Sequence, residues 1–248
     1  MRLIRYALAL LPMLLLLANS TSSDVTKKST ATSGTGIAAV SAGPGPMNSA
    51  GELFETWNLE AAGLSRDAFE KAARVYEVLQ SRSLLKKDNL LTIIDYSKPS
   101  SQKRLFVLDM ITGNILFNSL VAHGRNSGLD YATDFSNSGQ SHKSSLGFFI
   151  TLDTYKGGNG YSLKLKGCEA GINDNAFKRA IVMHGAGYVH ENFIRRNGYL
   201  GRSYGCPAVP VGLTKKIIDV IKGGSCMFLY YPSKNLSLIH ISEPTRPY

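Results

Sequence analysis

Cysteine is scarce in this chain. Three occur among 248 residues, Cys168, Cys206 and Cys226. An odd number leaves at least one thiol unpaired and excludes complete bridging. Histidine is sparse too, with five residues. His184 and His190 stand six positions apart, off helical metal-site spacing. No metal and no other cofactor is therefore expected. Basic residues are not interleaved with aromatics, and no recognised binding motif occurs, which argues against a nucleic acid partner. There is no internal repeat and no sign of oligomerisation, so a monomer is expected. The one long apolar run, residues 6–17, is shorter than the roughly 20 residues of a membrane-spanning helix. Charged residues make up 19% and hydrophobic residues 44%, the balance of a soluble globular chain rather than a disordered one.

What is present begins with that run. Arg2 and Arg5 precede it and Ala18-Asn19-Ser20 follows it. This is the layout of a secretory signal peptide over residues 1–20, or of an anchor if left uncleaved. Membrane contact is expected only through this segment before cleavage. No Cys lies near the cleavage point, which disfavours a lipoprotein. Export to the periplasm or cell envelope follows as an expectation. Residues 21–50 are rich in Ser, Thr, Gly, Ala and Pro and read as a flexible linker. At the other end, residues 236–246 read Leu-Ser-Leu-Ile-His-Ile-Ser-Glu-Pro-Thr-Arg. That resembles the translation of a common transposase sequencing adapter, so residues 236–248 are expected to be an artefact and His240 carries no functional claim.

The net charge is +10. Without Arg2, Arg5, Arg246 and Glu243, 25 basic and 17 acidic side chains remain, or +8. A basic surface suits an anionic partner such as an acidic envelope polymer; simple solubility is the bland alternative.

Residues 51–88 form an N-terminal helical segment, and residues 89–235 a mainly β catalytic domain with a few peripheral helices. Ser65 is placed to cap a helix running to about residue 81, with Phe69, Ala72, Ala73, Tyr76 and Leu79 on one face. Strands are expected at 91–95, 104–109, 114–121, 146–152, 161–165, 181–183 and 226–231. A hairpin turn falls at Thr112-Gly113 and another at Gly157-Gly158-Asn159-Gly160. An amphipathic helix spans 213–221, ended by Gly223-Gly224.

The chemistry lies in Met183-His184-Gly185-Ala186-Gly187-Tyr188 and, some twenty residues later, Gly201-Arg202-Ser203-Tyr204-Gly205-Cys206-Pro207-Ala208. A thiol with an ordinary pKa of about 8.5 attacks acyl groups only as the thiolate. A nearby imidazole can take its proton and later return it to a leaving amine. Gly205 lets the backbone turn sharply, so that amides can face a developing oxyanion. Cys206 and His184 are thus the candidate nucleophile and base, against the readings of a buried inert Cys and a core His. His123 either lines the cleft or is structural; His142 and His190 read as surface residues. Ser203, Ser144 and Ser145 read as substrate-side residues or as ordinary turn residues.

His184-Gly185 and Ser203-Tyr204-Gly205-Cys206 resemble the signature of the YkuD-type L,D-transpeptidases. The resemblance extends to the murein L,D-transpeptidase catalytic domain subgroup, through Val121-Ala-His-Gly-Arg-Asn-Ser-Gly128, Phe135-Ser-Asn137, Ser144-Ser-Leu-Gly147, Gly171-Ile-Asn-Asp174 and Gly201-Arg-Ser203. It covers about residues 51–235. It implies a sandwich- or barrel-like β domain. Cys206 would be the nucleophile, His184 the base, and the amides of Tyr204, Gly205 and Cys206 the oxyanion hole. The substrates would be peptidoglycan stem tetrapeptides, joined as 3–3 cross-links through a Cys206 thioester. Many members of the superfamily carry an Arg two residues after the Cys, where this chain has Ala208. A substrate carboxylate must then be met elsewhere, with Arg202 and Arg125 as candidates. The interval from His184 to Cys206 is also longer than in many members, so residues 188–199, with Tyr188 facing the substrate, are expected to form a lid. The alternatives are an L,D-carboxypeptidase, a Cys/His stem-peptide peptidase, and a non-catalytic peptidoglycan-binding protein. The enzyme readings predict a depressed Cys206 pKa and its labelling ahead of Cys168 and Cys226. A Cys168–Cys226 bridge would leave Cys206 free, but Cys226 reads better as a buried strand residue.

Overall fold

The computed structural model describes residues 49–232. The segments read as signal peptide, most of the linker, and adapter-like tail lie outside the described residues.

Two helices open the described chain. α1 (Ala50–Thr56) starts with a capping box: Glu52 N donates to Ser49 Oγ at 3.3 Å, and Ser49 N donates to the Glu52 carboxylate at 2.7 Å. This satisfies two amides that the first helical turn would otherwise orphan. α2 (Arg66–Ser81) buries Phe69, Ala72, Ala73, Tyr76 and Leu79 as their spacing predicts. The expected side-chain cap is not made. Ser65 precedes α2, but its hydroxyl is buried without a partner. Its backbone amide lies 3.4 Å from Asp95 Oδ2, so the residue is turned toward the sheet instead.

The sheet contains β1 (Leu90–Asp95), β2 (Leu105–Asp109), β3 (Ile115–Ser119), β4 (Gly147–Gly157), β5 (Gly160–Gly167), β6 (Val182–Ala186), β7 (Ala208–Pro210) and β8 (Cys226–Tyr230). Their order is β3-β2-β1-β8-β4-β5-β6-β7. β1 with β8 and β6 with β7 pair in parallel; the other neighbours are antiparallel. The fold is mainly β, as expected, and its core is one continuous mixed sheet. α3 (Glu191–Asn197) and α4 (Val211–Ile221) complete it.

Alternation along the strands sorts side chains onto two buried faces. Leu91, Ile93, Phe106, Leu108, Phe148 and Phe228 pack with Phe69 and Tyr76 of α2. Ile94, Leu105, Val107, Phe149, Met227 and Leu229 pack with Ile217, Ile218 and Ile221 of α4. Burial on both faces explains why β8 reads as an unbroken apolar run and β1 as one interrupted only by Thr92 before its terminal Asp95. Phe148 and Phe228 stack with centroids 4.1 Å apart, and each such ring contributes roughly 1.5–3 kcal/mol by burial.

At the far edge of the sheet the chain positions its chemistry. His184 on β6 pairs with Ala208 on β7, and His184 N donates to Pro207 O at 3.3 Å. The turn that carries Cys206 is therefore fixed by backbone register beside the strand that carries His184. Neither β7 nor α3 is expected from the sequence. β7 has three residues, and α3 buries none of its side chains, so neither leaves a periodic pattern.

Candidate active site

A cleft of about 550 Å³ opens along this edge. It is lined by Gly158 and Asn159 from the β4–β5 turn, by His184, Gly185, Ala186, Gly187 and Tyr188, and by Arg202, Ser203, Tyr204 and Cys206. None of these is Asp or Glu.

Gly205 has φ +123°, and a Cβ there would meet Lys143 O at 2.8 Å. Only glycine fits this turn without displacing backbone. Ser203 staples it. Its hydroxyl donates to Cys206 O at 2.6 Å and accepts from Gly205 N at 3.0 Å. Ser144, fully buried, donates to Gly205 O at 3.1 Å and accepts from Gly124 N at 3.0 Å. Ser144 N in turn donates to Ser127 Oγ at 2.8 Å. The turn is thus held by its own Ser203 and by the distant Ser144, which Gly124 and Ser127 fix in place.

Cys206 is partly buried, and its thiol donates to Ala180 O at 3.7 Å. Burial pushes the thiol up from its ordinary value; the Val182 backbone and the Arg179 guanidinium pull the other way without cancelling it. The expected depressed pKa is therefore corrected: desolvation outweighs the nearby charge, and the resting group is the thiol. Cys168 is pushed up to about 12, mainly by burial, and burial raises Cys226 strongly. All three cysteines are free, so no Cys168–Cys226 bridge forms.

His184 is 5% exposed, and its Nδ1 lies 3.0 Å from Gly185 O. A carbonyl oxygen only accepts, so Nδ1 carries the proton and Nε2 keeps its lone pair.

The structure brings Cys206, His184, Tyr204, Ser203, Arg202 and Tyr188 to the cleft. Tyr204 is 66% exposed on the rim, its ring 4.6 Å from His142 and 5.7 Å from the Arg125 guanidinium. Arg125 itself stands behind Tyr204 rather than in the lining. Arg202 donates to Arg125 O at 3.2 Å and Gly128 O at 3.0 Å, with no carboxylate partner. Burial pushes the Tyr188 hydroxyl up to about 12.

Four expectations are corrected. His123 does not reach the cleft. It is fully buried, with Nδ1 2.7 Å from Arg104 Nη2 and Nε2 3.3 Å from Gly128 O. The guanidinium only donates, so Nδ1 accepts and the ring is neutral; burial and the Arg104 charge push it down to about 3. Ser145 is also buried, donating to Ser136 O at 3.1 Å and accepting from Arg179 at 2.6 Å. The Ser203 hydroxyl is spent within the turn. The Gly205 amide is spent on Ser203, so it does not face the cleft as an oxyanion donor. Among the described residues, the Tyr204 and Cys206 amides donate to no protein group.

Sequence reasoning missed Arg104 and Arg179 and, although it places the turn at 157–160, missed that this turn lines the cleft. Arg104 is fully buried, donating to Val121 O at 3.1 and 3.0 Å and to Lys98 O at 2.8 Å, beneath the strand that meets Ser203. These partners are backbone carbonyls, which no side-chain pattern reveals. Among the described residues no group of His, Cys, Asp or Glu could hold a metal, and no helix is long and apolar enough to cross a membrane.

A thiol and an imidazole sharing one cleft, with unspent amides beside the sulfur, have the components of thiol-based acyl transfer. Residues 60–230 match the family model described as L,D-transpeptidase catalytic domain. The chain belongs to that family. Among solved structures it resembles an L,D-transpeptidase from Mycobacterium smegmatis at 13% identity, over 58% of this chain and 59% of that one, TM-score 0.36. It also resembles the helical cell shape determining protein of Campylobacter jejuni at 14% identity, over 58% and 48%, TM-score 0.38. An L,D-transpeptidase from Xylanimonas cellulosilytica aligns at 14% identity over 66% and 77%, TM-score 0.34. The chain spans 59% of the length of the first of these. No curated protein matches it.

Proposed function

We propose that this protein is an exported L,D-transpeptidase that joins peptidoglycan stem peptides through a Cys206 thioester, with His184 as base. The observation that carries the reading is the cleft itself, lined by Cys206 and by a His184 whose ring Nδ1 faces the Gly185 carbonyl. His184 Nε2 takes the thiol proton, and the sulfur attacks the carbonyl of the third stem residue. The Tyr204 and Cys206 amides receive the oxyanion. His184 returns the proton to the departing D-alanine amine, leaving the thioester. An amine of a neighbouring stem then attacks, loses its proton to His184, and expels the thiol as the 3–3 amide bond forms. Arg202, with no carboxylate partner, suits the carboxylate of the substrate. The apolar leader at residues 6–17 supports export to the envelope, where this polymer lies.

The test uses residues 49–232, wild type and Cys206→Ala, incubated with purified disaccharide-tetrapeptide and read by mass spectrometry. The expected product is a cross-linked dimer with loss of D-alanine, absent with the variant. Tripeptide and free D-alanine without dimer would assign the chain as a carboxypeptidase. Neither product, together with no covalent carbapenem adduct on Cys206, would end the enzyme reading.

A further inference from the structure

The segment before β6 supplies something that the His-Gly and Ser-X-Gly-Cys stretches do not. Arg179 sits on the turn that leads into the His184 strand, half-buried beneath the Cys206 turn. Its guanidinium reaches four groups on the 136–145 segment. Nη1 donates to Ser136 O and to Ser145 Oγ, the latter at 2.6 Å. Nη2 donates to Ser141 Oγ at 3.1 Å and Lys143 O at 2.7 Å. None of these acceptors carries a charge, so the cation is held in place without being neutralised.

The same nitrogen faces the nucleophile turn. A Cβ built on Gly205 would lie 3.5 Å from Arg179 Nη2 and 2.8 Å from Lys143 O, the carbonyl that Nη2 holds. The next residue, Ala180, presents the carbonyl that accepts the Cys206 thiol proton at 3.7 Å. It does so from a left-handed conformation, φ 53°, that a non-glycine residue rarely adopts. One dipeptide therefore offers the sulfur two different partners: a carbonyl that suits the thiol and a guanidinium that suits the thiolate.

From these contacts we infer that Arg179 is a positioning residue for the proposed reaction, holding segment 136–145 under the 203–206 turn and stabilising the Cys206 thiolate. Other groups around the sulfur do not replace it. His184 gains the proton and is needed as an acid afterwards. Tyr188, Tyr204 and the buried Tyr96 are phenols. Arg202 lines the cleft, with one nitrogen spent on Arg125 O and Gly128 O. No carboxylate lines the cleft to oppose a thiolate. The Arg179 charge acts on Cys206 in the lowering direction.

The inference rests on Cys206 being the nucleophile, and the experiment separates the two. Residues 49–232 are alkylated with iodoacetamide across pH 6 to 10, and the Cys206 peptide is quantified by mass spectrometry for wild type, Arg179→Gln and Arg179→Lys. Thermal melts of each are run alongside. Arg179→Gln is expected to raise the labelling midpoint by about one pH unit and to slow labelling at neutral pH about tenfold. Arg179→Lys, which keeps the charge but not the fork, is expected to stay near the wild-type midpoint while melting lower. A folded Arg179→Gln with an unmoved midpoint overturns the inference. Should that variant not fold, Arg179→Lys decides. A wild-type midpoint supports the role of the charge; a rise of more than one unit with the charge retained overturns it. A wild-type protein that neither turns over tetrapeptide nor binds a carbapenem fails the nucleophile reading instead, whatever Arg179 does to the midpoint.

Discussion

Two stretches flank the same cleft and are built in opposite ways. The 203–206 turn is gripped by the Ser203 and Ser144 hydroxyls, and Ser144 is itself held by Gly124 N and Ser127 Oγ. The buried Arg104–His123 pair lies beneath it. The 188–199 stretch carries α3, which buries none of its side chains and is capped by the exposed His190, whose Nδ1 accepts from Phe193 N at 3.0 Å. Its Glu191–Arg195 pair is exposed, and its anchors are Tyr188, Val189, Ile194 and Leu200. The proposed acyl transfer would need a sulfur placed within a fraction of an ångström and a substrate-side wall that can yield. The Ser203, Ser144 and Ser127 hydroxyls around the turn are all paired because a buried orphan costs about 1–3 kcal/mol, a cost that the exposed α3 avoids by facing water.

The contrast breaks most sharply at Gly205. Gly205→Ala forces a side chain into a φ of +123° and against Lys143 O. It is expected to cost roughly 2–4 kcal/mol and to lower turnover at least about a hundredfold through displacement of Cys206. Denaturant melts and the tetrapeptide assay read the two effects; wild-type turnover would mean that the turn is not the fixed element.

Acid sharpens it. His123 is neutral and pushed down to about 3 in the folded chain, against about 6.5 when unfolded. Between these values the unfolded chain binds the extra proton. The stabilisation is whole above about pH 6.5 and is lost as pH falls toward 3. Going from pH 7 to pH 5 is expected to remove roughly 2 kcal/mol through this residue. His123→Gln keeps a donor and an acceptor without titrating, and should flatten the loss in paired melts at the two pH values. Equal slopes would show that the buried pair does not govern acid stability.

Ser144→Ala leaves Gly124 N and Gly205 O without their hydroxyl and is expected to cost about 1–3 kcal/mol, with turnover falling about tenfold. The smallest effect belongs to the lid. His190→Ala removes the side-chain cap of α3 and is expected to cost about 0.5–1 kcal/mol locally, raising KM more than it changes kcat. Hydrogen exchange confined to residues 190–198 would register it; a global loss of stability would mean that the lid is part of the core.

The sequence reveals some of this because some signals are local. His184 and Cys206 lie in short glycine-containing stretches whose chemistry is readable residue by residue. α2, α4 and most strands show their apolar periods directly. The scaffolding of the turn is not local. Ser144 meets Gly205 and Arg179 meets Ser136 across long stretches of chain, through carbonyls every residue possesses. The same holds for the thiol: Cys206 looks activatable in its motif, yet burial, which only the fold supplies, pushes its pKa up. His123 was ambiguous for the same reason, since its partner Arg104 lies on the neighbouring strand's approach and not beside it in the chain. α1 is the exception, since its Ser-X-X-Glu signature at residues 49–52 was there to be read.

The parallel pairing of β1 with β8 has a kinetic side. Leu91 sits opposite Cys226, so the middle of the sheet joins residues from near the two ends of the catalytic region. Until residues 226–230 are available, β1, β2 and β3 can form only a three-stranded meander whose β1 edge stays open, and joining it to the rest of the sheet needs contacts of high sequence separation. Closure of the whole sheet is then expected to wait for its last strand. A chain cut short before its last strand is left with an unpaired, strongly apolar edge.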